Sequence, residues 1–220
     1  MEDSLINEAK HMGIDIDTIS FIETEAIQSV DVQQEIEQAL LQAATVVFTS
    51  MNAVDAVVNY KDDLQPDWRI YCIGTTTNKL VQNYFGEELI AGTASSAAEL
   101  AELIVEEGDA DEVIFFCGDQ RRDELPDILR SNDIEVNEIV VYQTIPVPHK
   151  IEKPYHGILF FSPSAVESFF SNNKVAGQTI LFAIGNTTAS AIKKHSNNKI
   201  VISDESGKES LVKKMIEYFS

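Results

Sequence analysis

Two serines in this chain stand at the same kind of corner. In VVFTSMNAVDAVV, residues 46–58, and in ILFFSPSAVESFF, residues 158–170, an apolar run stops at Ser50 or Ser162 and helical spacing begins. Slid by 112 residues, Phe48 meets Phe160, Ser50 meets Ser162, Ala53 meets Ala165 and Asp55 meets Glu167. A strand that ends in such a turn and opens a helix leaves backbone N–H groups without intrahelical partners, and those groups favour anions. Asn52-x-x-Asp55 and Ser164-x-x-Glu167 read as capping boxes, and Pro163 suits a first helical turn. A second pair of corners repeats in the same way. IYCIGTTTNKLV, residues 70–81, lies on LFAIGNTTASAI, residues 181–192, so that Gly74 meets Gly185 and Thr76-Thr77 meets Thr187-Thr188. Glycine there permits a tight turn and close approach to a ligand. Gly118 closes a further apolar run, followed by Arg121 and Arg122, the best-placed cations, with Lys79 behind the GTTT turn.

The chemistry open to such corners is the grip of an anion by backbone dipoles, hydroxyls and a few cations. Phosphate-loop signatures are absent: there is no GxxxxGK[ST], and no GxGxxG follows a strand-like run. His11, His149, His156 and His195 have no ligand spacing to another histidine or to a cysteine, so neither a metal nor a cofactor is expected. No Ser-His-Asp arrangement is legible. Cys72 and Cys117 sit in apolar runs just before glycines, as core-filling thiols. Caps and turns can also do no more than finish helices; what argues for a site is their use twice.

The elements that must carry these corners alternate. Strand-like runs are expected at residues 15–22, 45–49, 69–73, 112–117, 135–144, 157–161, 179–184 and 199–202. Amphipathic stretches follow most of them, including residues 52–60, 75–85, 96–107 and 211–219. Such alternation predicts parallel sheets in an α/β architecture. The length, 220 residues, admits one large domain or two small ones, and 44% apolar content supplies a core. The net charge of −20 disfavours nucleic acid and anionic membrane as partners. No apolar run approaches the ~20 residues of a membrane span, and the opening MEDSLINEAK is acidic rather than a basic export signal. A cytoplasmic protein is expected.

A third internal match fixes the organisation. DSLINEAKHMGIDIDTISFIET, residues 3–24, lies without a gap on DELPDILRSNDIEVNEIVVYQT, residues 123–144. The unit that comes first in the N-terminal arm therefore comes last in the central block. This predicts a central domain, residues 27–138, inserted into an outer one made of residues 1–20 and 148–220. Residues 21–26 and 139–147 form a two-stranded linker, with Pro146 and Pro148 ending the return strand. The same match predicts that the outer domain lacks its first strand: DEVIFFCGDQRR precedes Asp123, whereas only Met1-Glu2 precedes Asp3. About ten further residues upstream are expected in the natural protein.

Taken together, FTSMNAV, CIGTTT, FFCGDQRRDELPDIL, VVYQT, FFSPSAVESF and AIGNTTASAI resemble uroporphyrinogen-III synthase in order and spacing, over about residues 3–219. Each motif is loose; the set is specific. The resemblance implies two flavodoxin-like α/β domains joined by a two-stranded ladder, with the N-terminal segment returning to the C-terminal domain. It implies cyclisation of linear hydroxymethylbilane, with loss of water and inversion of the last pyrrole ring, to uroporphyrinogen III without metal or cofactor. It places Tyr142 as the catalytic cleft tyrosine, helping the hydroxyl depart. It places Thr77, Thr187 and Thr188, Ser50, Ser162 and Ser164, Gly74, Gly118 and Gly185, and Arg122 as binders of the acid side chains. A monomer is expected, with transient contact to the preceding and following pathway enzymes. One departure is the absent opening strand, which in bacterial members ends in Thr-Arg-Pro and supplies a cleft arginine. The alternative reading is a non-catalytic two-lobed domain of the same fold that senses a small anion.

Overall fold

The β-branched and aromatic runs pair as parallel strands in a computed structural model that describes residues 3–205 and 207–220. The chain divides into two units, Met1–Glu23 with Ile145–Ser220 and Thr24–Thr144. It opens with α1 (Asp3–His11) and enters the central unit along β1 (Ile22–Ala26). There follow α2 (Val30–Leu40), β2 (Ala44–Phe48), α3 (Met51–Val58), β3 (Trp68–Ile73), α4 (Gly74–Phe85) and β4 (Ile90–Ala94). Next come α5 (Ala97–Glu107), β5 (Glu112–Gly118), α6 (Glu124–Ser131) and β6 (Glu135–Pro146), the strand along which the chain leaves. The remainder is β7 (Gly157–Phe160), α7 (Pro163–Asn172), β8 (Ile180–Ala183), α8 (Asn186–His195), β9 (Ile200–Ile202) and α9 (Lys208–Phe219).

The central sheet runs β1-β6-β5-β2-β3-β4, and its β6-β5-β2-β3-β4 part is parallel throughout. Strands β2 and β5 are buried on both faces, which is why ATVVF and EVIFFCG read as continuous apolar runs rather than alternating ones. Val46, Phe48, Ile114 and Phe116 face α2, α3 and α4. Val47, Val113, Phe115 and Cys117 face α5 and α6. On the first face the rings interlock: Phe48 stacks on Phe116 at 5.4 Å and Trp68 tilts against Phe85 at 5.4 Å, while Trp68 Nε1 donates to Ala39 O at 2.9 Å. Helices α3 and α4 lead away from β2 over one face, and α5 and α6 serve β5 over the other. The neighbours β2 and β5 therefore flank the topological switch point, where open α/β sheets bind ligands at their carboxyl ends.

The strand order also explains the third internal match. Counted from β2, the central sheet reads 3-2-1-4-5; counted from β5, it reads 2-1-3-4-5, the flavodoxin-like order. The unit β5–α6–β6 thus comes last in the sequence of the central unit but first in the fold, just as residues 3–24 precede residues 157–220. The outer unit carries a parallel sheet, β7-β8-β9. Helices α7 and α8 cover one face around Phe160 and Phe169, and α1 and α9 cover the other around Phe182. Among the described residues β7 pairs with β8 alone, whereas its counterpart β2 is flanked by both β3 and β5.

Three local expectations are corrected. Of the run expected at residues 15–22, residues 15–21 form no strand; the strand starts at Ile22. The alternation in IDID instead places Ile14 and Ile16 on the α1–α9 cluster, while Asp17 is held by Lys153 and by Tyr155 Oη at 2.7 Å. The helix starts shift as well. Ser50 and Ser162, not Asn52 and Ser164, are the capping residues of α3 and α7, because each apolar strand ends on the serine's doorstep. Pro163 does occupy the first turn of α7. Finally, β4 is a strand that its small residues hid. Gly92 is required there by space, since a Cβ would lie 2.6 Å from Leu103 Cδ2 and 2.9 Å from Tyr71 Cδ1.

Candidate active site

At the carboxyl end of β2 the chain stays extended through Ser50, at φ −148° and ψ 138°, before turning into α3. This lets Ser50 Oγ accept from Asn52 N at 3.1 Å, satisfying one of the free amides of the helix start. Two strands away, β6 slips against β5: Cys117 pairs with Val140, but Gly118 pairs with Tyr142. The extra residue is Val141. Strict alternation would send Tyr142 to the side of Val140; the slip turns it onto the face of Ile139 and Val141, where α3 packs. There Tyr142 Oη donates to Ser50 Oγ at 3.2 Å. The ring passes over Gly118 so closely that a Cβ would stand 2.3 Å from Tyr142 Cζ and 2.7 Å from its oxygen. A half-buried phenol and a helix-start serine thus meet over a bare backbone, across the end of β5, in the switch-point crevice.

The residues after Gly118 divide their work. Asp119 N donates to Tyr142 O at 3.1 Å, and Asp119 Oδ1 accepts from Thr144 N at 2.9 Å. Arg121 turns inward to Asp123 and Glu138, and Glu138 is also held by Arg130 at 2.7 Å. That corrects the expectation for Arg121: two carboxylates already occupy its guanidinium. Arg122 is exposed and makes no ion pair among the described residues. Beneath the corner, burial and then the Glu138 charge push the Cys117 thiol up to about 11, so it stays protonated as core.

The glycine corners differ from each other. Gly74 opens α4 at φ +75°, a conformation that excludes most side chains. No side chain caps α4, so its first amides stay open, beside exposed Thr75 and Thr76. Thr77 is only 6% exposed, beneath the turn. In the outer unit, α8 likewise has no side-chain cap, Thr187 is exposed and Thr188 is 1% exposed. Gly185, however, is extended at φ −173° with open space where a Cβ would stand, so no tight turn requires a glycine there. Ser162 Oγ accepts from Ala165 N at 3.1 Å and lies 3.2 Å from Ser164 Oγ. Among the described residues no group of three or more His, Cys, Asp or Glu is placed to hold a metal ion, and no helix is long and apolar enough to cross a membrane.

Within the central unit the geometry suits a phenol that hands a proton or hydrogen bond to a leaving oxygen, beside open helix-start amides for a carboxylate. The family model described as uroporphyrinogen-III synthase HemD matches residues 3–213. The chain belongs to the uroporphyrinogen-III synthase family. It is 28% identical over 193 residues to the porphyrin biosynthesis protein HemD of Ruminiclostridium josui, a match spanning 78% of this chain and 37% of that relative's length. Among solved structures, uroporphyrinogen-III synthetase from Helicobacter pylori aligns at a TM-score of 0.66 and 18% identity, over 92% of each chain. A mutant uroporphyrinogen III synthase from Thermus thermophilus aligns at 0.59 and 13% identity, over 99% of this chain and 94% of that one. These likenesses carry the two-domain α/β fold. Asp119, within FFCGDQRR, lies outside the residues that the synthase-family motifs mark as binders. An aspartate directly after a strand-ending glycine is a signal for a side chain that accepts a neighbouring amide.

Proposed function

We propose that this chain is a uroporphyrinogen-III synthase, a lyase that cyclises hydroxymethylbilane to uroporphyrinogen III with loss of water and inversion of the terminal pyrrole ring. The observation that carries the reading is the 3.2 Å contact of Tyr142 Oη with Ser50 Oγ over Gly118, at the switch point of the central sheet. The bilane's carbon–oxygen bond breaks with Tyr142 Oη donating to the leaving oxygen as charge builds on it; the proton that completes water is balanced by the one the pyrrole nitrogen loses as the electrophile forms. The electrophile left behind is intrinsically reactive. The protein's remaining task is to hold it folded, so that the inverted ring closes before simple cyclisation does. Gly74 with the open amides of α4, Thr77, Ser50, Gly118 and exposed Arg122 bind acid side chains on the central unit. Ser162, Ser164, Gly185, Thr187 and Thr188 are assigned the same work on the outer unit. The family resemblance, the matching family model and the open helix starts support this assignment.

A cytoplasmic monomer that takes the bilane from the preceding enzyme and passes its product onward completes the proposal. The test is product identity. Incubated with enzymically generated hydroxymethylbilane, the protein yields the type III isomer in excess over type I. Type I alone, at every protein concentration, would leave the non-catalytic anion-binding reading.

A further inference from the structure

We infer that Asp119 is the positioning residue for Tyr142. Tyr142 sits where β6 has slipped against β5, between Cys117–Val140 and Gly118–Tyr142 pairings, and a slipped strand end has two nearby registers to choose from. Asp119 closes that choice with two bonds of opposite sense. Its backbone amide donates to Tyr142 O at 3.1 Å, and its carboxylate Oδ1 accepts from Thr144 N at 2.9 Å. The bonds bracket residue 143, so the backbone on both sides of it is pinned to the loop that follows Gly118. To the placement of Tyr142, Gly118 contributes space: it lets the ring pass close over the strand end but has no side chain to hold it there.

Each carboxylate oxygen accepts one bond at this corner, Oδ2 from Gln120 Nε2 at 3.2 Å and Oδ1 from the Thr144 amide. A carboxylate repels the acid arms of the substrate, so Asp119 acts through Tyr142 rather than by binding them. Loss of the side chain frees the Thr144 amide and lets the end of β6 relax toward regular pairing. That would carry the phenol off Ser50 and toward the Val140 face of the sheet.

The placement part of this inference stands on geometry, and its effect on turnover rests on the synthase reading. The experiment uses the full chain with 3-fluorotyrosine at position 142, alone and combined with Asp119→Ala, Asp119→Asn or Asp119→Glu. Asp119→Ala shifts or broadens the fluorine resonance and lowers kcat about tenfold while KM stays within about twofold, as expected for a misaimed group. Asp119→Asn, which keeps Oδ1, recovers most of both effects. Asp119→Glu, one methylene too long, behaves like Asp119→Ala and carries the same test should the alanine variant fail to fold. A resonance and kcat both unchanged in Asp119→Ala or Asp119→Glu overturn the inference, as does a moved resonance with unchanged kcat. A moved resonance, restored by asparagine, in a protein that makes no type III product would uphold the placement and overturn the synthase reading.

Discussion

At the scale of single residues, the site turns on a hydroxyl and a missing methyl. Tyr142→Phe removes only Oη, whose bond to Ser50 is partly solvated, so thermal stability stays nearly unchanged while type III formation slows roughly tenfold or more. Paired melting and product assays check this; a large stability loss with unaltered turnover would return Tyr142 to a packing role. Gly118→Ala is the sharper substitution, because the new Cβ falls within 3 Å of the ring of Tyr142. Activity should fall at least as far as in Tyr142→Phe although the phenol is still present, a result read directly from rates of the two variants. Tyr142, Gly118 and Ser50 were each legible in sequence from the motifs that hold them. Their contact was not, because strict alternation along VVYQT points Tyr142 to the wrong face and only the slip against Cys117–Gly118 corrects it. The fate of Arg121 was equally hidden, since Arg121 lies in a loop and Glu138 on β6, 17 positions away in sequence.

At the scale of elements, the serine caps do structural work in both units whatever else they do. Ser50→Ala and Ser162→Ala each lose a bond to a helix-start amide, to Asn52 N and Ala165 N, and each should cost about 1 kcal/mol in urea unfolding. Only Ser50→Ala also deprives Tyr142 of its partner, so it alone should pair that cost with a change at the phenol. Strands β2 and β5 of the central unit were legible because they are apolar runs buried on two faces. The extended segment before β1 misled because Ile14 and Ile16 find partial burial without a ladder, and β4 escaped because Gly92 and its small neighbours carry little β signal. The repeat was the strongest guide. It matched the sequence of residues 123–144 to that of residues 3–24, and the strand order gives the reason.

At the scale of the whole molecule, charge and burial set the response to solution conditions. Burial, and then the bond to Glu107, push Tyr71 up to about 12 from its ordinary 10.0, and burial pushes Cys117 to about 11 from 9.0. Each is a neutral acid kept protonated by folding. Its stabilising contribution is present below the unfolded value and lost as pH rises through the folded one. Denaturation midpoints should therefore decline from about pH 9 upward, most steeply between about pH 10 and 11 where both windows overlap, and Cys117→Ala should weaken the earlier part of that decline. A net charge of −20 repels a polycarboxylate at long range, so kcat/KM should rise as salt increases from about 10 mM to about 150 mM, where the screening length shrinks from ~30 Å to ~8 Å. The most direct measurement compares wild type with Tyr142→Phe for the ratio of type III to type I product, at matched protein and freshly generated bilane. Type III in excess from wild type, and a ratio driven toward type I by loss of one hydroxyl, is the predicted result. Identical ratios from the two proteins, or type I alone from both, would contradict a crevice in which Tyr142 governs ring closure.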